Sequence, residues 1–252
     1  MEIGEYIRAL EREGGRLVEA AGAAGLGAPV PTCPGWRVRE LLAHVHYVHR
    51  WAATYVTEGL SEMVPEPAED EIFGAAPSDE DLLACVREGH GALVRALRAA
   101  PPDLRCWTFL PAPDPLTMWA RRQAHETAVH RVDAEVAARR PPRDFDSRFA
   151  ADGVEELLLA FLGRRKPAPK EEGLVGTIGL EALDGPERWR VRVTQGRAEA
   201  KRGAADCDLL VRATASDLYL LLWNRPTLRD PGIQGDAALL DAWHDRIRVT
   251  WQ

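Results

Sequence analysis

Lysine is nearly missing from this sequence: of its 32 basic residues only Lys166, Lys170 and Lys201 are lysines. Acidic residues number 39, so the formal net charge is −7. Proteins that bind nucleic acids usually carry an excess of basic residues, which this chain does not have. The composition therefore argues against a nucleic-acid-binding function.

Paired cysteines and long apolar runs are also missing. The four cysteines, Cys33, Cys85, Cys106 and Cys207, are widely scattered and form no CxxC pair. Their spacing argues against a zinc ribbon or a disulfide framework and fits a reducing compartment. No window approaches 18 apolar residues, and the charged N-terminal segment does not resemble a signal peptide. We therefore expect a cytoplasmic protein without a membrane span.

Helical periodicity fills the first two-thirds of the chain, between connectors rich in proline and glycine. It predicts four long helices, at about 3–21, 38–57, 78–100 and 118–138, followed by a shorter helix at about 149–162. Ser78 is the predicted N-cap of the third helix. Four long helices of this kind predict a four-helix bundle.

The composition changes at GRRKPAPKEEG, residues 163–173, which we interpret as a linker. Beyond it the apolar residues alternate, which predicts the strands LVGTIGLEA, RWRVRVT and CDLLVRAT and a last strand, IRVTW. DG at 184–185 and QG at 195–196 indicate turns, and helices are predicted at 215–225 and 235–246. The predicted fold class is α plus α+β, with a helical bundle at 1–165 and a small α+β domain at 171–252.

Two histidines and a glutamate lie within six residues of the segment RRQAHETAVH, on the fourth predicted helix. Residues four apart share a helix face, so Glu126 and His130 lie together while His125 points about 100° away. Arg122 and Asp133 belong to the same stripe as the glutamate. Such a stripe is typical either of a solvated helix face or of a pair of metal ligands.

A second histidine-rich segment, LLAHVHYVHRWAA, lies on the second predicted helix. His44 lies on an apolar stripe of that helix, formed with Leu41, Tyr47, Val48 and Trp51. The same periodicity predicts that His46 and His49 face solvent. A histidine on an apolar stripe is either a satisfied core residue or a ligand.

Together, His44, Glu126 and His130 would supply three ligands from facing helices, which is how helix bundles build metal sites. Two imidazoles and one carboxylate leave a fourth position open, as catalytic zinc requires. The same donor set also suits nickel, iron or manganese. A bound cation would supply a coordinated water or thiol as a nucleophile at neutral pH.

The segments VPTCPGWRVRELLAHVHYVHRWAA and RRQAHETAVHRVDAE together resemble the mycothiol-dependent maleylpyruvate isomerase family. The resemblance implies a DinB-like four-helix bundle whose three metal ligands fall on His44, Glu126 and His130, with zinc as the favoured metal. The segments ADCDLLVRATASDLYLLLWNR and GDAALLDAW are similar to the family's C-terminal domain, of the sterol-carrier-like group.

This resemblance implies an enzyme that uses mycothiol, a low-molecular-weight thiol, together with a small electrophile. In the family's isomerase a metal-activated thiolate adds to a cis-enoyl diacid, the former double bond rotates, and elimination gives the trans isomer. We expect a mycothiol-dependent isomerase or thiol S-transferase. The alternatives are a metal-dependent hydrolase of thiol conjugates and a non-catalytic binding or regulatory protein.

No catalytic residue is assigned, because no motif here matches the arginine that the family's C-terminal domain contributes. Arg122 either anchors a substrate carboxylate or forms a salt bridge with Asp133 or Glu126. Asp133 is either a surface acid or an acceptor for the free nitrogen of His130. The sequence indicates no nucleic-acid or membrane partner and does not reveal the oligomeric state.

Three further residues near these motifs are given no chemical role. Trp36 is predicted to close one end of the bundle. His125 is predicted to be a surface or hydrogen-bonding residue outside the site. Cys33 is not expected to be a nucleophile, because an external thiol makes one unnecessary.

Overall fold

The computed structural model describes residues 1–65, 77–162, 175–194, 197–204 and 206–246, and the chain divides into two compact units, Met1–Pro142 and Arg143–Gln252. The predicted linker at 163–173, the QG turn and the last predicted strand, IRVTW, lie outside the described residues. No helix in the described parts of the chain has both the length and the apolar character needed to cross a membrane.

The described part of the first unit contains four long helices: α1 (Ile3–Ala24), α2 (Val38–Glu58), α3 (Leu82–Ala99) and α4 (Pro115–Ala137). α1 packs on α4 and α3, and α2 packs on α3 and α4. The predicted helical first domain is confirmed, with differences at the helix ends. Ser78 is not the N-cap of α3, because the helix begins at Leu82 and the Ser78 hydroxyl lies 2.8 Å from the Asp81 carboxylate in the preceding turn.

Local side-chain contacts fix the starts of α2 and α4, the two helices that carry the predicted ligands. The Glu40 carboxylate accepts a hydrogen bond from the Arg37 backbone N–H at 2.9 Å, within the first turn of α2. The Asp114 carboxylate accepts one from the Thr117 N–H at 2.8 Å, and Pro115 follows it as the first residue of α4. Both helices therefore begin at defined residues.

α4 is buried on nearly every side, although its sequence is rich in charge. Every residue from Arg122 to Glu135 is buried. The buried charges are paired: the Arg131 guanidinium lies 2.9 Å from Glu13 of α1 and 2.6 Å from Glu135. The stripe that carries the predicted ligands is therefore not a solvated helix face.

The prediction that His46 and His49 face solvent is wrong, since they are only 5 % and 1 % exposed. The side of α2 opposite the apolar stripe is covered by α3. The His49 ring lies 5.3 Å from the ring of His90, and a Cβ atom at Gly89 of α3 would be 3.7 Å from the His46 ring. Helical periodicity identified one buried face of α2, but this helix has two.

The second unit is a small α+β unit, as predicted. It contains α5 (Ser147–Glu155), continued by a π-helical segment (Glu156–Phe161), α6 (Ala215–Leu222) and α7 (Ala238–Arg246). Its strands are β1 (Gly176–Ala182), β2 (Arg188–Thr194), β3 (Arg197–Arg202), β4 (Leu209–Ala213) and β5 (Gly232–Gly235), in the order β3-β2-β1-β4-β5. β1 and β4 are parallel, and the other neighbours are antiparallel.

The sequence predicted β1, β2 and β4, whose apolar residues alternate or run together. β3 and β5 were not predicted as strands. β3 reads RAEAKR and β5 reads GIQG, so neither carries the apolar alternation that marks a half-buried strand. Their place at the two edges of the sheet explains this composition, because an edge strand buries less apolar surface.

The chain divides before the predicted linker, because α5 packs on α6 of the second unit. The Phe145 N–H donates to the Ser216 hydroxyl at 3.1 Å. Gly153 of α5 lies so close to Tyr219 that a Cβ atom there would be 2.4 Å from the ring. The first compact unit ends at Pro142, whereas the prediction assigned residues 1–165 to the bundle.

Candidate metal centre

His44, Glu126 and His130 come together between α2 and α4. The Oε1 atom of Glu126 lies 3.1 Å from Nε2 of His44 and 3.1 Å from Nε2 of His130. The three donor atoms all lie within 4.8 Å of one another, an arrangement suited to one metal ion. The three residues that the sequence predicted as ligands therefore converge on one position, at which Glu126 and His130 are buried and His44 is half-buried.

Arg122 holds the second carboxylate oxygen of Glu126. Its Nη2 atom lies 2.8 Å from Oε2, one helical turn before the glutamate. Burial alone would raise the pKa of Glu126, but the charge of Arg122 and the hydrogen bonds with His130 and His44 keep it well below its usual value. Glu126 is therefore ionised, with Oε1 directed at the two imidazoles.

Asp133 holds the other ring nitrogen of His130. Its Oδ2 atom lies 2.8 Å from Nδ1, so the Nδ1–H donates to the carboxylate and Nε2 is directed into the centre. Burial alone would lower the pKa of His130, but the hydrogen bonds with Asp133 and Glu126 raise it to about 9. The structure thus places both stripe residues, Arg122 and Asp133, against predicted ligands.

The residues present fit a divalent metal. With its Nδ1 proton donated to Asp133, a neutral His130 aims the lone pair of Nε2 at the Oε1 atom of Glu126. Two lone pairs at this distance repel each other unless a proton or a cation lies between them. Two imidazole nitrogens and one carboxylate oxygen are ligands that zinc and similar metals accept in catalytic sites.

The loop before α2 also reaches the centre, which the sequence did not predict. The Trp36 ring lies 5.2 Å from the His44 ring and 6.3 Å from the His130 ring, so it covers both imidazoles. Cys33 lies with its Sγ atom 3.4 Å from Oδ2 of Asp133. The sequence contains the segment CPGW, but helical spacing cannot predict that this loop contacts residues of α4 about a hundred positions later.

His125 lies outside the centre, as predicted, but it is not a surface residue. It is fully buried, and its ring lies 6.3 Å from that of Tyr6 on α1. His49 of α2 faces α4, where its Nε2 atom is 2.8 Å from the hydroxyl of Thr127, the residue that follows Glu126. Burial, reinforced by the nearby His90, lowers the pKa of His49 well below its usual value, so this ring is neutral.

Two family models match the chain, one in each unit. The mycothiol maleylpyruvate isomerase N-terminal domain matches residues 7–135, and the C-terminal domain of the same family matches residues 148–242. The first match contains all three residues of the centre. Among curated proteins, none has a significantly similar sequence.

Two solved structures are similar to the chain in fold. They are crystal structures of the mycothiol-dependent maleylpyruvate isomerase and of a histidine-to-alanine mutant of that enzyme. Each aligns with a TM-score of 0.58 at 14% sequence identity, over 87% of this chain and 88% of the other. At this identity the similarity establishes a shared fold.

Proposed function

Since the chain belongs to the mycothiol maleylpyruvate isomerase family, we propose that it is a metal-dependent enzyme with mycothiol as its thiol cosubstrate. The proposed reaction is the addition of the thiolate to a small electrophile, leading to isomerisation or to S-transfer. The observation that carries this proposal is the convergence of His44, Glu126 and His130 on one position between α2 and α4. Scattered cysteines and the need for a reduced thiol favour the cytoplasm as the location.

In this proposal His44, Glu126 and His130 bind the metal, with zinc favoured. A divalent cation there would lower the pKa of a coordinated thiol or water and so supply a nucleophile at neutral pH. Arg122 keeps Glu126 ionised and turned toward the centre, and Asp133 sets the proton position on His130. Their hydrogen bonds fix the ligand side chains before the metal binds, which reduces the cost of ordering them.

For an enoyl substrate, the thiolate sulfur forms a bond to one alkene carbon, and the π electrons move to the conjugated carbonyl. The former double bond then rotates as a single bond. Elimination breaks the new C–S bond, restores the double bond in the trans form and returns the thiol unchanged. In a transferase the C–S bond would remain, and protonation of the neighbouring carbon would complete the reaction.

Metal content provides the direct test of the site. Protein purified without chelator should contain about one divalent ion per chain by elemental analysis, because the three donors form one site. His44→Ala and His130→Ala should lose the metal. His244→Ala, a histidine of the second unit, is the matched control and should retain it. Protein without metal, or metal that survives both ligand substitutions, would refute the site.

The reaction class is tested by supplying the metal-loaded protein with mycothiol and a panel of electrophiles, and separately with mycothiol conjugates. Isomerisation without net thiol consumption supports an isomerase, whereas stoichiometric consumption supports a transferase. The same donor set also suits a metal-activated water, so cleavage of the conjugates would identify a hydrolase instead. Absence of turnover in all assays would identify a binding protein.

A further inference from the structure

Asp133 has two donors on the same carboxylate oxygen. Its Oδ2 atom lies 2.8 Å from Nδ1 of His130 and 3.4 Å from Sγ of Cys33. A thiol S–H is a weak donor, and 3.4 Å is a normal separation for a bond that involves sulfur. Cys33, Asp133 and His130 thus form a continuous hydrogen-bonded row that ends at the candidate metal centre.

We propose that Cys33 is a positioning residue: its thiol restrains the Asp133 carboxylate, and Asp133 in turn orients the His130 ring. The inference about metal binding rests on the proposed function, whereas the inference about the ring does not. Because the thiol faces a buried carboxylate, which would repel a thiolate, its role here is that of a donor and not of a nucleophile.

The backbone of the loop holds Cys33 in place. The Cys33 N–H donates to the Val30 carbonyl at 3.0 Å, and the Cys33 carbonyl accepts from the Trp36 N–H at 3.0 Å. The Val30 N–H in turn donates to the Trp36 carbonyl at 2.9 Å, which closes the loop on itself. Gly35 supplies the left-handed conformation that this tight turn requires, with φ of 87°. The thiol is therefore presented from a fixed position.

Burial makes the orientation of Asp133 dependent on its donors. The residue is fully buried, so solvent water does not replace a lost hydrogen bond. With the thiol removed, Oδ2 keeps its bond to His130 but loses one of the contacts that restrain the carboxylate against rotation about its side-chain torsions. The His130 ring is then held less tightly, and its Nε2 atom is less well placed for a metal.

The test compares Cys33→Ala with Cys33→Ser, whose hydroxyl also donates. Cys85→Ser, a half-buried cysteine of α3, is the matched control. In metal-free protein, solvent exchange of the His130 Nδ1 proton is measured by nitrogen-edited NMR. We expect about three- to tenfold faster exchange in Cys33→Ala than in the wild type, as for loss of one hydrogen bond, and nearly unchanged exchange in Cys33→Ser.

Zinc affinity, measured by competition with a chelator, gives the second readout. Substitution of a residue that supports a metal ligand through hydrogen bonds typically lowers metal affinity about 10–100-fold. Cys33→Ala should therefore weaken zinc binding about tenfold, at the lower end of that range. Cys33→Ser and Cys85→Ser should bind as the wild type does. If wild-type protein binds no zinc, the proposed function fails, while the NMR comparison still decides the role of Cys33.

A double-mutant cycle separates action through Asp133 from a general packing effect. In an Asp133→Ala background, which has no side-chain acceptor for the thiol, Cys33→Ala should change zinc affinity by almost nothing, because the two residues act as one unit. An equal effect of Cys33→Ala in both backgrounds would overturn the proposal, as would equal losses in Cys33→Ser and Cys33→Ala. Unchanged proton exchange in Cys33→Ala would also overturn it, and that comparison does not require the Asp133 variant to fold.

Discussion

His130 is engaged at both ring nitrogens, which makes its protonation state central to the candidate centre. Asp133 accepts from Nδ1 at 2.8 Å, while Nε2 lies 3.1 Å from Glu126. Without metal the two carboxylates raise the pKa of this histidine to about 9, despite the opposing effect of burial. A metal and a proton therefore compete for the same nitrogen.

This competition predicts a pH-dependent metal affinity. Below a pH of about 9 the binding of a divalent ion must displace the proton on His130. Zinc affinity should therefore rise about tenfold per pH unit between pH of about 6 and 8, with release of about one proton. Chelator competition at several pH values measures the slope, and calorimetry in two buffers with different ionisation enthalpies measures the proton.

Asp133→Asn provides the contrast for this prediction. The Asn side-chain oxygen still accepts from Nδ1–H, but the substitution removes the negative charge of Asp133, which helps to raise the pKa of His130, so the pH dependence should flatten. A wild-type affinity independent of pH over this range would show that the metal does not bind through Nε2 of His130.

α1 packs closely against the His90 ring of α3 at Gly14, where a side chain on α1 would not fit. Gly14 lies in the middle of α1, and a Cβ atom there would be 2.2 Å from the His90 ring. The neighbouring Gly15 faces outward, and a Cβ atom at that position would meet nothing within 4 Å. The Gly-Gly pair that weakens helical propensity in the sequence therefore has different functions at its two positions.

Gly14→Ala and Gly15→Ala should shift stability in opposite directions. The first forces the buried His90 ring to move, and overpacking of this kind costs about 1–3 kcal/mol. The second removes backbone freedom from an exposed helical position and should stabilise by about 0.5–1 kcal/mol. Urea denaturation of both variants measures the difference. Similar free energies of unfolding for the two variants would contradict the close contact with His90.

α4 shows how a helix with abundant charge is accommodated in a core. The pairs of Arg122 with Glu126 and of Arg131 with Glu13 supply opposite charges within the buried region. Removing one partner of such a pair leaves an uncompensated buried charge, which is strongly destabilising. The buried charges of α4 thus divide into a structural network around Arg131 and the candidate centre around Glu126.

At the scale of the whole molecule, buried histidines determine the response to acid. His49 and His90 have lowered pKa values, mainly because of burial, so both are neutral in the folded chain. In the unfolded chain they take up protons once the pH falls below about 6.5. The folded state excludes these protons, so the free energy of unfolding decreases as the pH falls further.

The expected slope is up to about 1.4 kcal/mol per pH unit for each such histidine, beginning below a pH of about 6.5. His130 has the opposite sign: its contribution in metal-free protein is present below about 6.5 and is lost as the pH rises through about 9. Chemical denaturation of metal-free protein across this range measures both the acid decline in stability due to His49 and His90 and the alkaline decline due to His130. A stability unchanged between neutral and mildly acidic pH would contradict the buried neutral histidines.

Bound metal should change the pH dependence of stability on the alkaline side but not on the acid side. On the alkaline side, bound metal replaces the proton of His130 and stabilises the folded state by mass action, so the decline toward pH of about 9 should disappear. On the acid side the decrease in stability due to His49 and His90 should remain, because neither residue belongs to the predicted ligand set. The same denaturation series with saturating zinc provides this comparison.

The helices and the main strands could be predicted from the amino-acid sequence, because periods of about 3.6 and 2 reflect which faces are apolar. The shared helix face of Glu126 and His130 could also be predicted from the sequence, since four residues make about one helical turn. The division of the chain into a helical part and an α+β part followed from the change of period.

What lies on the remaining faces depends on tertiary packing. His46 and His49 are buried although they lie off the apolar stripe of α2, and His49 contacts both α3 and α4. The loop before α2 places Cys33 and Trp36 at the centre. Packing also brings His44 to Glu126 across 82 positions of sequence. Helical spacing constrains neighbours within about one turn, whereas contacts between distant segments depend on how complete elements pack.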